Sequence, residues 1–156
     1  MSPGAAGVGH CPFRLRPLEV ADALPLAVFY KDEGFFEHLI EGQMTEEEVV
    51  EFVRERVALS SRSGQPQMWW AVEDSADGHF IGTANLKRIG ENIDRSGSVG
   101  CALGIRGRGI GKSLGWEMFR IAFEDFKLRR VESTCSVRNE KSIYLMGSLF
   151  QLHRLE

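Results

Sequence analysis

The sequence has no apolar run near the roughly 20 residues a membrane-spanning helix needs, so no membrane partner is expected. It has little excess charge of either sign: 22 acidic against 19 basic side chains leave a net charge of -3, which gives no reason to expect nucleic acid. Cysteine is scarce. Cys11, Cys101 and Cys135 are an odd number without metal-ligand spacing, and they read as reduced thiols of a cytoplasmic protein. The opening "MSPGAAGVGH" has no basic residue and no apolar core, so it is not a signal peptide. Residues 1–12 read as a disordered tail and residues 13–156 as one domain. There are no internal repeats.

What is present is an ordinary globular composition, 43% apolar and 26% charged over 156 residues, enough for a single real core. "FRLRP" alternates and stops at Pro17, a short strand. A helical spacing follows (Leu18, Ala21, Leu24, Ala27, Val28), broken near Pro25, and "KDEGFF" reads as a loop. "MTEEEVVEFVRERVALSS" is the clearest amphipathic helix, with Thr45 and Glu48 as a capping box and Val49, Val50, Phe52, Val53 and Val57 as its apolar side. "MWWAVE", "HFIGTANLKRI" and "SVGCALGI" are three strands joined by turns, the first turn being "DSADG". A helix from Lys112 to Phe126, a strand from Val131 to Val137 and a helix begun by Asn139 complete a β-α-α-β-β-β-α-β-α order. The fold class is α+β: a mixed, mainly antiparallel sheet flanked by helices, with one crossover between parallel strands.

The chemistry concentrates in "GIRGRGIGKSLG", Gly104 to Gly115. It is not a P-loop, because the leading glycine of G-x-x-x-x-G-K-[ST] is replaced by Arg106. It is not a Rossmann fingerprint, because the sixth residue is Lys112 counting from Gly107 and Leu114 counting from Gly109. Arg106 to Gly111 do fit [QR]-x-x-G-x-[GA]. That pattern resembles the acetyl-CoA loop of the GNAT family of N-acetyltransferases, and the likeness runs from about Phe13 to Phe150. Ala122-Phe123-Glu124, Leu128-Arg129-Arg130 and Asn139 with Ser142 are most similar to the branch that acetylates N-terminal amines of ribosomal proteins.

A physical reading supports the loop. A helix start offers unpaired N–H groups and a positive dipole end, a site for an anion. Arg106, Arg108 and Lys112 surround that end, where acidic residues would ordinarily be favoured, so a polyanion is expected there. In the preceding strand Val99, Cys101, Leu103 and Ile105 lie on one face, and Gly100, Ala102 and Gly104 leave room on the other for a flat, extended ligand.

The resemblance implies acetyl-CoA as co-substrate and an amine as acceptor. It implies cofactor contacts at Leu103, Ile105, Arg106, Gly107, Arg108, Gly109, Ile110, Gly111, Lys112, Ser113 and Asn139. It places an acid for the leaving thiolate at Ser142, which reads equally as a helix-capping residue beside Asn139. The tyrosine acid of other branches would fall on Met146, so the role does not pass to Tyr144. The glutamate common before the fourth strand falls at Ser98, which leaves Glu91 and Asp94 as substitute bases. Phe35-Phe36 and His38 are candidates for the acceptor site; core packing is the readier use of Trp69 and Trp70. The alternative function is a non-catalytic acyl-CoA-binding or regulatory domain of the same fold.

Family members usually continue past the last helix with a Gly-Phe turn and two more strands. Here Leu149 precedes Phe150 and the sequence reads "QLHRLE" to Glu156. The expectation is a sheet lacking that strand pair, with an open fifth-strand edge. Such a chain would form a homodimer by edge pairing or swapping, or be destabilised.

Overall fold

The computed structural model describes residues 11–90, 95–104 and 109–150, the side chain of Phe150 excepted. Residues 1–10 of the expected 1–12 tail and the residues after Phe150 lie outside these; the Pro12 carbonyl accepts from the Ser75 N–H at 3.2 Å. Strands β1 (Phe13–Pro17), β2 (Gln67–Asp74), β3 (Phe80–Ile89) and β4 (Ser96–Leu103) pair antiparallel in sequence order, and β5 (Arg130–Glu132) runs parallel to β4. Register follows the apolar pattern, with Leu15 opposite Val72, Trp70 opposite Ala84 and Leu86 opposite Val99. The β2–β3 turn forms where "DSADG" places it, the Asp74 carboxylate accepting from the Ala76 N–H at 2.8 Å.

Both faces of the sheet are covered, which is why "MWWAVE" reads as a continuous apolar run rather than an alternation. Trp70 and Val72 join one core with Ile110, Leu114, Met118 and Phe119; Trp69 and Ala71 join the other with Leu26, Val49 and Val53. The first core is closed by α4 (Ile110–Arg120), the second by α1 (Ala23–Phe29) and α3 (Glu46–Ser60). The capping box of α3 is formed. The Glu48 N–H donates to Thr45 Oγ1 at 3.2 Å and the Thr45 N–H to Glu48 Oε2 at 2.7 Å.

Four local expectations need correction. Pro25 does not break α1: it lies in the first turn, where a missing N–H costs nothing, while Leu24 and Val28 face solvent and Ala23, Leu26 and Ala27 are buried. "KDEGFF" is not a plain loop but holds a single helical turn, α2 (Glu33–Phe36), capped by the Asp32 carboxylate on the Gly34 N–H. The helix after the glycine loop widens at its end, with the Phe126 N–H bonding the Ile121 carbonyl five residues back. The fifth strand is three residues long, not seven, because its ladder with β4 stops at Ser98 opposite Glu132. The last helix, α5 (Glu140–Phe150), begins after Asn139 as expected. Among the described residues β5 stands at the sheet edge.

An ion-pair cluster ties β1 to β2 and to the turn before α1. Arg16 donates to both Asp22 oxygens at 2.7 and 2.9 Å and to Glu73, and Arg14 reaches Glu73 at 3.1 Å. Burial pushes the Glu73 carboxyl up, but the bonds from Arg16 and Arg14 outweigh it and hold the group below its ordinary value. A carboxyl depressed on folding stabilises above its unfolded pKa of about 4.3 and loses that contribution as the pH falls further. Glu73→Gln is therefore expected to be less stable than the parent near neutrality, with the gap narrowing as urea midpoints are measured at successively lower pH below about 4.3. A gap that stays constant across that range would refute the linkage.

Candidate active site

Two helix starts in this chain are built oppositely. α3 opens with the Thr45 box and three glutamates, so its first N–H groups and dipole are answered from within. α4 opens on Gly109, in the left-handed region at φ 68°, with no side-chain cap and no acidic residue in the first turn. Ile110 is buried and anchors this turn to the core. Among the described residues no side chain caps the first N–H groups of α4, which suits them to a ligand.

They border a cleft of about 380 Å³. Its floor is the end of β4, Cys101 to Leu103; one wall is Gly109, Ile110 and Gly111. Asn139, Lys141, Ser142 and Leu145 of the α5 start form the facing wall, and Phe35, His38 and Leu39 close the α2 side. A second, smaller cavity of about 130 Å³ continues it between β4, α4, α5 and the segment after β5. Gly111 serves helix packing as well as the cleft: a Cβ there would lie 3.2 Å from the Leu145 side chain.

At the α5 start the Asn139 amide oxygen accepts the Ser142 N–H at 3.2 Å. Asn139 is therefore the cap and Ser142 supplies the N–H it caps, and both line the cleft. His38 is mostly covered, 22% exposed at its side chain, with Nε2 3.3 Å from Glu37 Oε1. The Cys101 thiol opens onto the cleft, yet the surrounding walls desolvate it and push its pKa up to about 11, so it is a neutral thiol at physiological pH.

The structure brings Leu103, Gly109, Ile110, Gly111, Asn139 and Ser142 to one place, as the sequence suggested. Lys112 and Ser113 sit in the same first turn of α4, exposed and beside the cleft rather than lining it. Ile105, Arg106, Gly107, Arg108, Glu91 and Asp94 lie outside the described residues. Of the aromatic candidates Phe35 lines the cleft, Phe36 packs into the α1–α3 core, and Trp69 and Trp70 are core residues. Tyr144 is 81% exposed and does not line the cleft.

One expectation fails. The small-residue face of β4 reaches the cleft only at Ala102: a Cβ at Gly104 would lie 2.5 Å from the Phe29 ring and one at Gly100 3.3 Å from the Asn85 amide, so those glycines admit protein side chains, while Cys101 and Leu103 of the other face line the cleft. Sequence reasoning missed Lys141, Leu145 and Leu39. Lys141 and Leu145 follow from the Asn139 cap by helical spacing; Leu39 carries no local signal.

Residues 13–149 match the family model described as the Acetyltransferase (GNAT) domain. The chain belongs to that family. Among solved structures the GNAT chain is similar to the spermidine N-acetyltransferase of Vibrio cholerae in complex with CoA and spermine, at 19% identity over 88% of this chain and 79% of that one, TM-score 0.73. It is similar also to the ribosomal-protein-S5-alanine acetyltransferase of Vibrio fischeri, at 21% identity over 88% and 78%, TM-score 0.71. A GNAT-family acetyltransferase from Bacillus anthracis aligns at 18% identity over 88% and 78%, TM-score 0.71. No curated protein sequence matches the chain. These likenesses show a GNAT fold, with a mainly antiparallel five-stranded sheet among the described residues and helices on both faces.

Proposed function

We propose that this GNAT chain moves the acetyl group of acetyl-CoA to a primary amine, at a protein N-terminus or on a small molecule, by direct attack of the amine on the thioester. The observation that carries the reading is one cleft that joins the glycine-capped start of α4, the end of β4 and the start of α5. The α4 start, with Lys112 beside it, suits the pyrophosphate, and Leu103 and Cys101 suit the arm that follows. Asn139 and Ser142 face that arm from α5. His38 stands on the α2 side, and imidazole is the side chain suited to taking a proton near neutral pH. We assign to it the removal of the acceptor ammonium's proton, and to Ser142 the protonation of the departing thiolate.

The ribosomal-protein branch is a finer proposal. Its support is the Ala122-Phe123-Glu124 and Leu128-Arg129-Arg130 pattern together with one similar solved structure that acts on a ribosomal protein. Ala122 and Leu128 are buried in the α4 core, so this pattern speaks to packing more than to the acceptor.

Calorimetric titration with acetyl-CoA and with ATP, followed by release of free CoA across a panel of amines, tests the reading. Binding of acetyl-CoA without turnover of any amine would favour the non-catalytic alternative. Ser142→Ala keeps the N–H that Asn139 caps, so the fold and acetyl-CoA KM should hold while kcat falls by about a hundredfold. His38→Gln should lower kcat similarly. Full activity in Ser142→Ala would leave the Ser142 hydroxyl without a part in the reaction, and full activity in His38→Gln would remove the imidazole from it.

A further inference from the structure

β4 and β5 begin as paired parallel strands and then part. Ser96 faces Arg130, Gly97 faces Val131 and Ser98 faces Glu132, after which the ladder ends. Counting three residues past the last pair on each strand arrives at Cys101 on one side and Cys135 on the other. Both cysteines line the same small cavity of about 130 Å³, which opens into the cleft and which Ser142 and Leu145 of α5 also border. Both are free thiols, Cys101 on β4 and Cys135 three residues past the end of β5; Cys11 lies before β1.

We propose that Cys101 and Cys135 form a reversible disulfide that closes the split between β4 and β5 and shuts the cleft to acetyl-CoA. The gating half of this rests on the cofactor reading above; the cross-link does not. A disulfide requires Cα atoms within about 7 Å, so its formation continues the Ser98–Glu132 pairing by three residues and removes the opening. The segment after Glu132 is outside the sheet.

The oxidant is a low-molecular-weight disulfide. The Cys135 thiolate attacks one of its sulfurs, forming a mixed disulfide and releasing one small thiolate, which takes up a proton. Cys101 then gives up its proton and attacks the Cys135 sulfur, expelling the second small thiol. Two cysteine thiols are oxidised and one small disulfide is reduced to two thiols. The raised pKa of Cys101 fits it to the second, intramolecular step, where the partner is already at hand.

The test uses the full chain carrying Cys11→Ser, treated with 2-hydroxyethyl disulfide and then freed of reagent. Peptide mass mapping is expected to show residues 101 and 135 joined, with loss of two hydrogens and no retained adduct. Calorimetry is expected to show acetyl-CoA binding in the reduced protein, its loss after oxidation and its return with reductant. Cys135→Ser, which lacks the thiol that attacks the reagent, should bind acetyl-CoA before and after the treatment. Absence of a 101–135 link would overturn the proposal, and so would a linked protein that still binds acetyl-CoA with unchanged affinity. Failure of the reduced protein to bind acetyl-CoA would defeat the cofactor reading and the gate with it, while the mass map reports on the cross-link separately.

Discussion

Gly109→Val is expected to raise the dissociation constant for acetyl-CoA by more than a hundredfold while leaving the protein folded. Gly109 caps α4 at φ 68° and ψ 8°. A β-branched residue is a genuine outlier there, and the left-handed conformation costs an L-residue about 1–2 kcal/mol. Among the described residues, chain neighbours aside, no heavy atom stands within 4 Å of a Cβ at this position, so they do not forbid the side chain. The damage comes from the backbone leaving its native conformation and from a side chain standing where the ligand must approach. Two charge-assisted hydrogen bonds lost at roughly 1.5–3 kcal/mol each exceed the 2.8 kcal/mol or so that a hundredfold represents. Calorimetry measures the affinity and circular dichroism the fold. Gly109→Asn, which tolerates the left-handed region, should retain part of the binding. Equal affinity in parent and valine variant would show that the α4 start does not hold the cofactor.

The parts of this fold legible in the sequence are those whose signal is local. The Thr45–Glu48 box and the Val49 to Val57 stripe are complete within one helix, and the "DSADG" turn is complete within one hairpin, so α3 and the β2–β3 connection could be read directly. What failed depends on a distant partner. Val131 to Val137 alternates like a strand, but a strand lasts only as long as its neighbour, and β4 parts from it after Ser98. Gly100 and Gly104 were read as room for a ligand because nothing local announces that Asn85 and the Phe29 ring occupy that side. The cleft followed the same division. The α4 start and the Asn139 cap carry their own pattern, whereas Leu39 reaches the site through the packing of α2. That Cys101 and Cys135 border one cavity has no local signal, because it depends on where β4 and the segment after β5 part.

The largest loss of stability is expected from Gly82→Ala. Gly82 is buried in β3, opposite Val72 on one side and Leu103 on the other, with φ at 155°. It adjoins an irregularity between Val72 and Glu73, where the pairing passes over Ile81. A Cβ at residue 82 would fall on the Ala102 carbonyl oxygen, 2.9 Å from the Leu103 Cα and 3.0 Å from its Cδ2. The first two are backbone atoms in a ladder that the Gly104 N–H continues to the Ile81 carbonyl at 2.8 Å, so no side-chain rotation relieves the contact. Overpacking costs about 1–3 kcal/mol and an unfavourable backbone region about the same, giving a loss of about 3 kcal/mol or more. For a chain of this size that is on the order of a 10 °C fall in Tm. Gly42→Ala isolates the backbone part, because Gly42 has φ 63° with nothing within 4 Å of the added carbon. Thermal unfolding of the two variants should show the Gly82 change costing at least twice the Gly42 change. Equal losses would mean that β3 and β4 part at Leu103 without penalty. The floor of the cleft, Cys101 to Leu103, is the stretch that would have to move, so any folded Gly82→Ala protein should also bind acetyl-CoA more weakly, and Gly42→Ala should bind it as the parent does.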